Sequence, residues 1–245
     1  MTTIDLNSDL GEEVGDDAAM FAIVTSANIA GGFHAGGDDT MLGSARLAVE
    51  HRVSMGAHPS YRDRENFGRL AQDIDVTQLR ADIEEQLAAL RNHATAAGTR
   101  VRYLKPHGAL YNRIANDPVQ ADVVASAARD AGLPLLGLAH TAIHAAAERH
   151  GVAFHTEAFA DRAYLPDGTL APRSLAGAVI SEPSTVAARA VQMVLDGTVQ
   201  AIDGSILHVQ LDSLCVHGDT AGAVLLAATV RHALLDSGVE LRAFA

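Results

Sequence analysis

The chain has 245 residues, with 18 Lys plus Arg against 30 Asp plus Glu and a net charge of −12. That balance argues against nucleic acid or an anionic membrane as the main partner, and a hydrophobic content of 48% excludes disorder as the main state. Cys215 is the only cysteine, which excludes an intrachain disulfide and fits a reducing compartment.

The first residues do not read as a signal peptide, because Asp5, Asp9, Glu12 and Glu13 fall where an apolar segment would lie. The apolar run from Ala221 ends at Arg231, short of the ~18 residues of a membrane span. A cytoplasmic protein with no membrane partner is expected.

In chain order the pattern alternates between strand and helix. A strand over 3–7 leads into a loop with Asp9 and Glu12, and a helical turn follows over 16–21. A strand over 23–30 runs into a glycine-rich loop holding Gly31, Gly32, Gly36 and Gly37, then a helix over 39–50. A short strand over 53–56 runs into His58-Pro59, and 60–71 is a polar loop long enough to serve as a lid or docking segment. Asp75 and Gln78 form a capping-box pattern for a helix over 77–97, which Gly98 stops.

The next strand, from Val101 to Leu104, ends at Pro106, which has no N–H to donate. Asp117-Pro118 opens a helix that runs to Gly132. A strand over 135–138, a helix over 140–150 and a strand over 152–156 follow. An irregular stretch leads to a helix over 183–195, a strand over 206–211, a helix over 220–235 and a final strand over 239–242. Such alternation predicts a parallel sheet with crossover helices in a single domain over 1–245. Polar clusters after nearly every strand favour a β/α barrel over an open sheet.

Those clusters are the candidate site. Lys105 and His107 follow one strand, where an ammonium can polarise a carbonyl and an imidazole can move a proton. Tyr111 and Asn112 come next. His34 and His58 follow two other strands. With Asp9 they are the only set read as able to hold a divalent ion, and no local ligand pair such as HExxH supports it. No structural metal and no tightly bound cofactor are expected. Gly31-Gly32 reads equally as an anion nest or a flexible turn. Asp219 reads as a helix N-cap or a site residue, and His217 as a site residue. Because strand ends add little to a core, Lys105 and His107 are expected to be dispensable for folding.

Taken together, the stretches 5–12, 26–36, 56–59 with 67–69, 105–112, 157–164, 172–173 and 215–219 resemble, in order, the LamB/YcsF family. Departures are Ser8 and Gly31 where the family has Cys, Gly37-Asp38 where it has Asp-Pro, and Leu70 where it has a second Arg. The resemblance implies a distorted seven-stranded β/α barrel similar to the glycoside hydrolase/deacetylase barrels. It implies ATP-dependent opening of 5-oxo-L-proline to L-glutamate in a complex with two other subunits, with ATP as co-substrate. The implied catalytic set is Asp9, Glu12, His34, His58, Lys105, His107, Glu157 and Asp161. Asn28, Tyr111, Asn112, Arg162, Arg173 and His217 are the implied substrate contacts, with Arg162 or Arg173 on the substrate carboxylate. Two alternatives remain at this stage: a metal-dependent deacetylase of a small sugar, and a non-catalytic substrate-binding subunit.

Overall fold

The computed structural model describes residues 2–219 and 222–245. Its first half runs β1 (Thr3–Leu10), α1 (Asp17–Phe21), β2 (Ser26–Ala30), α2 (Asp38–His51), β3 (Ser54–His58), α3 (Val76–Ala96), β4 (Tyr103–Leu104) and α4 (Gly108–Ile114). The second half runs α5 (Pro118–Ala131), β5 (Leu135–Gly137), α6 (Ala142–His150), β6 (Phe154–Phe159), α7 (Pro183–Asp196), β7 (Thr198–Gln200), β8 (Ile206–His208), β9 (Ser213–Cys215), α8 (Ala223–Asp236) and β10 (Glu240–Leu241). The strand order β1-β2-β3-β4-β5-β6-β9, with β9 pairing back onto β1, closes seven parallel strands into a barrel. β10 adds to the start of β1.

Successive strand residues face opposite ways. Ile4, Leu6, Ile29, Met55, Leu104 and Leu135 face outward into the main core shared with the helices. The inward residues are mostly polar and buried, unlike the branched apolar layers that usually fill such barrels. Asp5 accepts from Thr25 and Ser26, both at 2.6 Å, and from Ser213. One layer up, Asn28 donates to Asn7 and to Asp9, both at 2.8 Å, and accepts from Tyr103 at 2.6 Å. The Tyr103 ring lies where a Cβ on Gly56 would come within 2.2 Å of it, so only glycine fits there. The tail from β10 closes the amino end of the barrel, with the Phe244 ring tilted against Tyr103 at 4.8 Å and against His155 at 4.6 Å.

Several boundaries differ from the sequence reading. β1 extends to Leu10 and β6 to Phe159, so Asp9 and Glu157 belong to strands rather than to loops after them. α4 was not expected. The 206–211 stretch is not a barrel strand: β8 pairs antiparallel with β7 in a hairpin around Asp203-Gly204, and the barrel strand is β9. The hairpin leaves Ile206 exposed, which an inner strand would not. The expected helix start at Thr220 lies outside the described residues, and the helix itself begins at Ala223 with Gly222 as its cap. No helix among the described residues is long and apolar enough to cross a membrane.

Candidate active site

The carboxyl ends of the barrel strands open into a cleft of about 400 Å³. Asp9, Glu12, His58, Lys105, His107, Tyr111, Asn112, Arg162, Arg173 and His217 line it. Asn28, His34, Glu157 and Asp161 do not reach it. Each is buried behind a residue that does.

Lys105 forms the floor. The Lys105 N–H continues the ladder onto the Ala57 carbonyl at 2.9 Å, and this places the side chain inside the barrel. Its Nζ lies 3.1 Å from Asp9 Oδ1, 2.9 Å from Glu157 Oε2 and 3.2 Å from Asn7 Oδ1. Lys105 is only 1% exposed. The expectation that it is dispensable for folding therefore fails: a buried cation facing two buried carboxylates is part of the interior, and losing one partner strands the others. Burial alone would push the Lys105 ammonium down, but Asp9 and Glu157 hold it well above its ordinary value, so it stays charged. Burial would push Asp9 up, but His58 and Lys105 hold it well below the usual carboxylate range.

Three histidines and Glu12 form the wall beside this floor. His34 Nε2 lies 3.1 Å from Glu12 Oε1, and His107 Nδ1 lies 3.2 Å from the same oxygen. His107 Nδ1 is also 2.9 Å from His58 Nε2, and the His34 and His107 rings stack at 3.8 Å. Burial, then His107, pushes His34 down to about 3, so it is neutral at physiological pH. Burial would lower His58 as well, but Asp9, 3.3 Å away, raises it. One ligand atom from each of Glu12, His34, His58 and His107 lies within 4.8 Å of the others, a grouping that could hold a metal ion. The sequence reading saw separate strand ends with no ligand pair, and named Asp9 instead of Glu12 and His107. Chain closure brings these ends together.

Across the cleft, His217 Nδ1 lies 2.9 Å from Asp161 Oδ2, and its backbone N–H donates to the same oxygen at 3.1 Å. Burial would raise Asp161, but His217 lowers it, so the carboxylate stays ionised and orients the ring. His217 Nε2 has no partner among the described residues, and the ring lines the cleft. Arg162 directs Nε and Nη2 to the carbonyls of Ala178 and Ala171 at 3.3 and 2.6 Å, so much of its donor capacity holds a loop. Arg173 and Arg69 both reach Asp219, at 3.7 and 2.5 Å. Two guanidiniums on one carboxylate leave a cationic surplus at the rim.

Sequence reasoning did not name Arg69 or Ser60 as site residues. Asp219 is an ion-pair partner rather than a helix cap. The 60–71 loop builds the wall: the Phe67 carbonyl accepts from His107 Nε2 at 2.9 Å, and the Phe67 ring meets His34 and His107 edge-on. A backbone carbonyl that holds a histidine leaves no residue-type signal. Arg69 does have one, as part of the 67–69 stretch.

A model of the LamB/YcsF family matches residues 4–245. The chain belongs to the LamB/YcsF family. A relative from Paracidovorax citrulli, named as the A subunit of 5-oxoprolinase, is 53% identical over 249 residues, covering 99% of both chains. One from Agrobacterium fabrum, also named as a 5-oxoprolinase A subunit, is 49% identical, covering 100% of this chain and 99% of the relative. The crystal structure of a lactam utilization protein from Thermus thermophilus superposes with a TM-score of 0.93 at 40% identity, covering 99% of this chain and 100% of that one. A family 4 carbohydrate esterase from Streptomyces lividans shares the fold alone, at a TM-score of 0.54 and 9% identity over 100% of this chain and 93% of that one. The barrel fold is thus shared with that carbohydrate esterase.

Proposed function

We propose that this chain is the A subunit of a 5-oxoprolinase and that its cleft opens the lactam of 5-oxo-L-proline to L-glutamate. The observation that carries this reading is the arrangement across one small cleft: Lys105 on the floor, ion-paired to Asp9 and Glu157, faces an Asp161-oriented His217 at the rim. Relatives that match along their whole length carry that subunit's name. The chain acts as a single domain, in the cytoplasm, with two partner subunits and ATP as co-substrate.

A lactam is a poor electrophile, and its ring recloses readily. ATP used with the partner subunits converts the lactam oxygen to a phosphate ester. Water then adds to that carbon, the ring C–N bond breaks, and the amine takes a proton. The resulting acyl phosphate is hydrolysed by a second water to glutamate and inorganic phosphate. In this scheme Lys105 stabilises the oxygen that gains charge. Asp9 takes a proton from the attacking water, and His217, held by Asp161, protonates the leaving amine. Arg173 with Arg69 receives the substrate carboxylate, and Tyr111 and Asn112 contact the ring.

The chain has no GxxxxGK[ST] phosphate loop. The purified chain alone should therefore release negligible glutamate from 5-oxoproline and ATP, and adding the proteins encoded beside it should restore release. Full turnover by the isolated chain would defeat the subunit reading. A partnered complex with no release would defeat the substrate reading.

A further inference from the structure

Each histidine of the wall commits one ring nitrogen to an acceptor outside the cluster. His58 Nδ1 faces the Lys105 carbonyl at 2.7 Å, and His107 Nε2 faces the Phe67 carbonyl at 2.9 Å. His34 Nδ1 faces Ser60 Oγ at 2.9 Å, and that hydroxyl donates its own proton to the Tyr61 carbonyl at 2.9 Å. All three acceptors can only accept, so those ring nitrogens carry the protons. In the neutral rings His34 Nε2, His58 Nε2 and His107 Nδ1 are then lone pairs. They converge on one another and on the Glu12 carboxylate, with the Asp9 carboxylate a further 3.3 Å from His58 Nε2, in a region where all four cluster residues are buried.

Lone pairs and a carboxylate facing each other away from water need a cation between them. One proton can bridge a single pair, such as His58 and His107. It cannot serve three imidazoles and a carboxylate together. Four of the six separations between these atoms, 2.9, 3.1, 3.2 and 3.9 Å, bracket the ~3.3 Å edge set by ligands about 2.0–2.1 Å from a tetrahedral ion, and the other two stay within 4.8 Å.

We propose that Glu12, His34 Nε2, His58 Nε2 and His107 Nδ1 form the binding site for one divalent transition-metal ion of the zinc class. Three imidazoles and one carboxylate suit such an ion and not calcium or magnesium, which take oxygen ligands. The Lys105 and Phe67 carbonyls and Ser60 act as the outer partners that fix ligand orientation. Glu12, His58 and His107 also line the cleft, so the ion borders the space where substrate sits and can polarise a carbonyl or a bound water. The inference concerns binding and does not rest on the substrate assigned above.

The test uses the full chain, purified without chelator, then stripped and titrated with Zn²⁺ and with Co²⁺. One equivalent should bind, and the cobalt form should show visible d–d bands of low-coordinate geometry. Imidazole ¹⁵N spectra should report metal at Nε2 of His34 and His58 and at Nδ1 of His107. Ser60→Ala, which removes the outer acceptor of His34 together with that hydroxyl's bond to the Tyr61 carbonyl, should weaken Zn²⁺ about 10–100-fold, and His58→Gln and His107→Gln should weaken it further. The proposal is overturned if the folded parent shows no saturable binding or if binding survives unchanged in both Gln variants. It is also overturned if the imidazole spectra show a proton shared between His58 and His107 with or without Zn²⁺. Should a Gln variant fail to fold, the parent's cobalt and imidazole spectra decide the matter.

Discussion

Replacing Lys105 with Met keeps the unbranched stem of the side chain and removes its terminal ammonium. The parent ammonium, 1% exposed, faces Asp9 Oδ1 at 3.1 Å and Glu157 Oε2 at 2.9 Å. Asp9 retains His58 at 3.3 Å, but no other cation lies within salt-bridge distance of Glu157 among the described residues. Breaking a buried pair from one side costs roughly 3–5 kcal/mol, because the remaining charge stays desolvated. For a chain of this size each kcal/mol moves the melting temperature about 2–4 °C, so Lys105→Met should lower it by roughly 6–20 °C. Glu157→Gln in the same chain removes the stranded charge and should restore part of the loss, with a coupling of about 0.5–3 kcal/mol. Leu104→Ala is the comparison. Leu104 faces the outer core, is fully buried, and should cost roughly 2–5 kcal/mol by leaving a cavity, with no rescue by Glu157→Gln. Circular dichroism melts and urea titrations of Lys105→Met, Leu104→Ala and Glu157→Gln and of the two double variants measure all of this. A Lys105→Met protein that melts within about 2 °C of the parent, or additive losses in the double variant, would refute the buried-pair argument.

Two further outcomes are expected. Gly56→Ala should destabilise by about 1–3 kcal/mol or more, since the new Cβ would lie 2.2 Å from the Tyr103 ring; an unchanged melt would mean the ring is not held there. Burial pushes the Asp5 carboxyl up from the usual 3.8 to about 6. Between those values the folded state keeps a proton that the unfolded chain has lost, so stability should fall by about 3 kcal/mol as pH rises through that window, and level off above it. The Asp5 carboxyl ¹³C shift should titrate near 6, and a midpoint at or below 3.8 would contradict this.

The parallel barrel was legible because the punctuation at strand ends is chemical: Pro106 after Lys105, Pro59 after His58, and Gly218 after His217. The same punctuation marked Lys105, His58 and His217, which line the cleft. The barrel interior was less legible. Asp5, Asn7, Ser26 and Asn28 alternate with apolar residues, a pattern that reads as a solvated face. Here the polar side faces inward and is satisfied across strands, which only closure can supply. The same closure explains why Lys105 read as a strand-end group when it is an interior one. It also explains why Glu12, His34, His58 and His107 read as scattered. The 206–208 arm resembled a barrel strand because its pairing depends on the turn at Asp203-Gly204 rather than on its own composition.

The central claim is that this cleft performs the ring opening and does not merely hold substrate. His217→Ala decides it, assayed as glutamate release from 5-oxoproline by the chain assembled with its partner subunits and ATP. Loss of a proton donor should lower turnover about 10²–10⁴-fold while the assembled complex still forms, and the chain should melt below the parent because the buried Asp161 carboxylate loses its partner. A His217→Ala complex that assembles and releases glutamate at the parental rate would contradict the account.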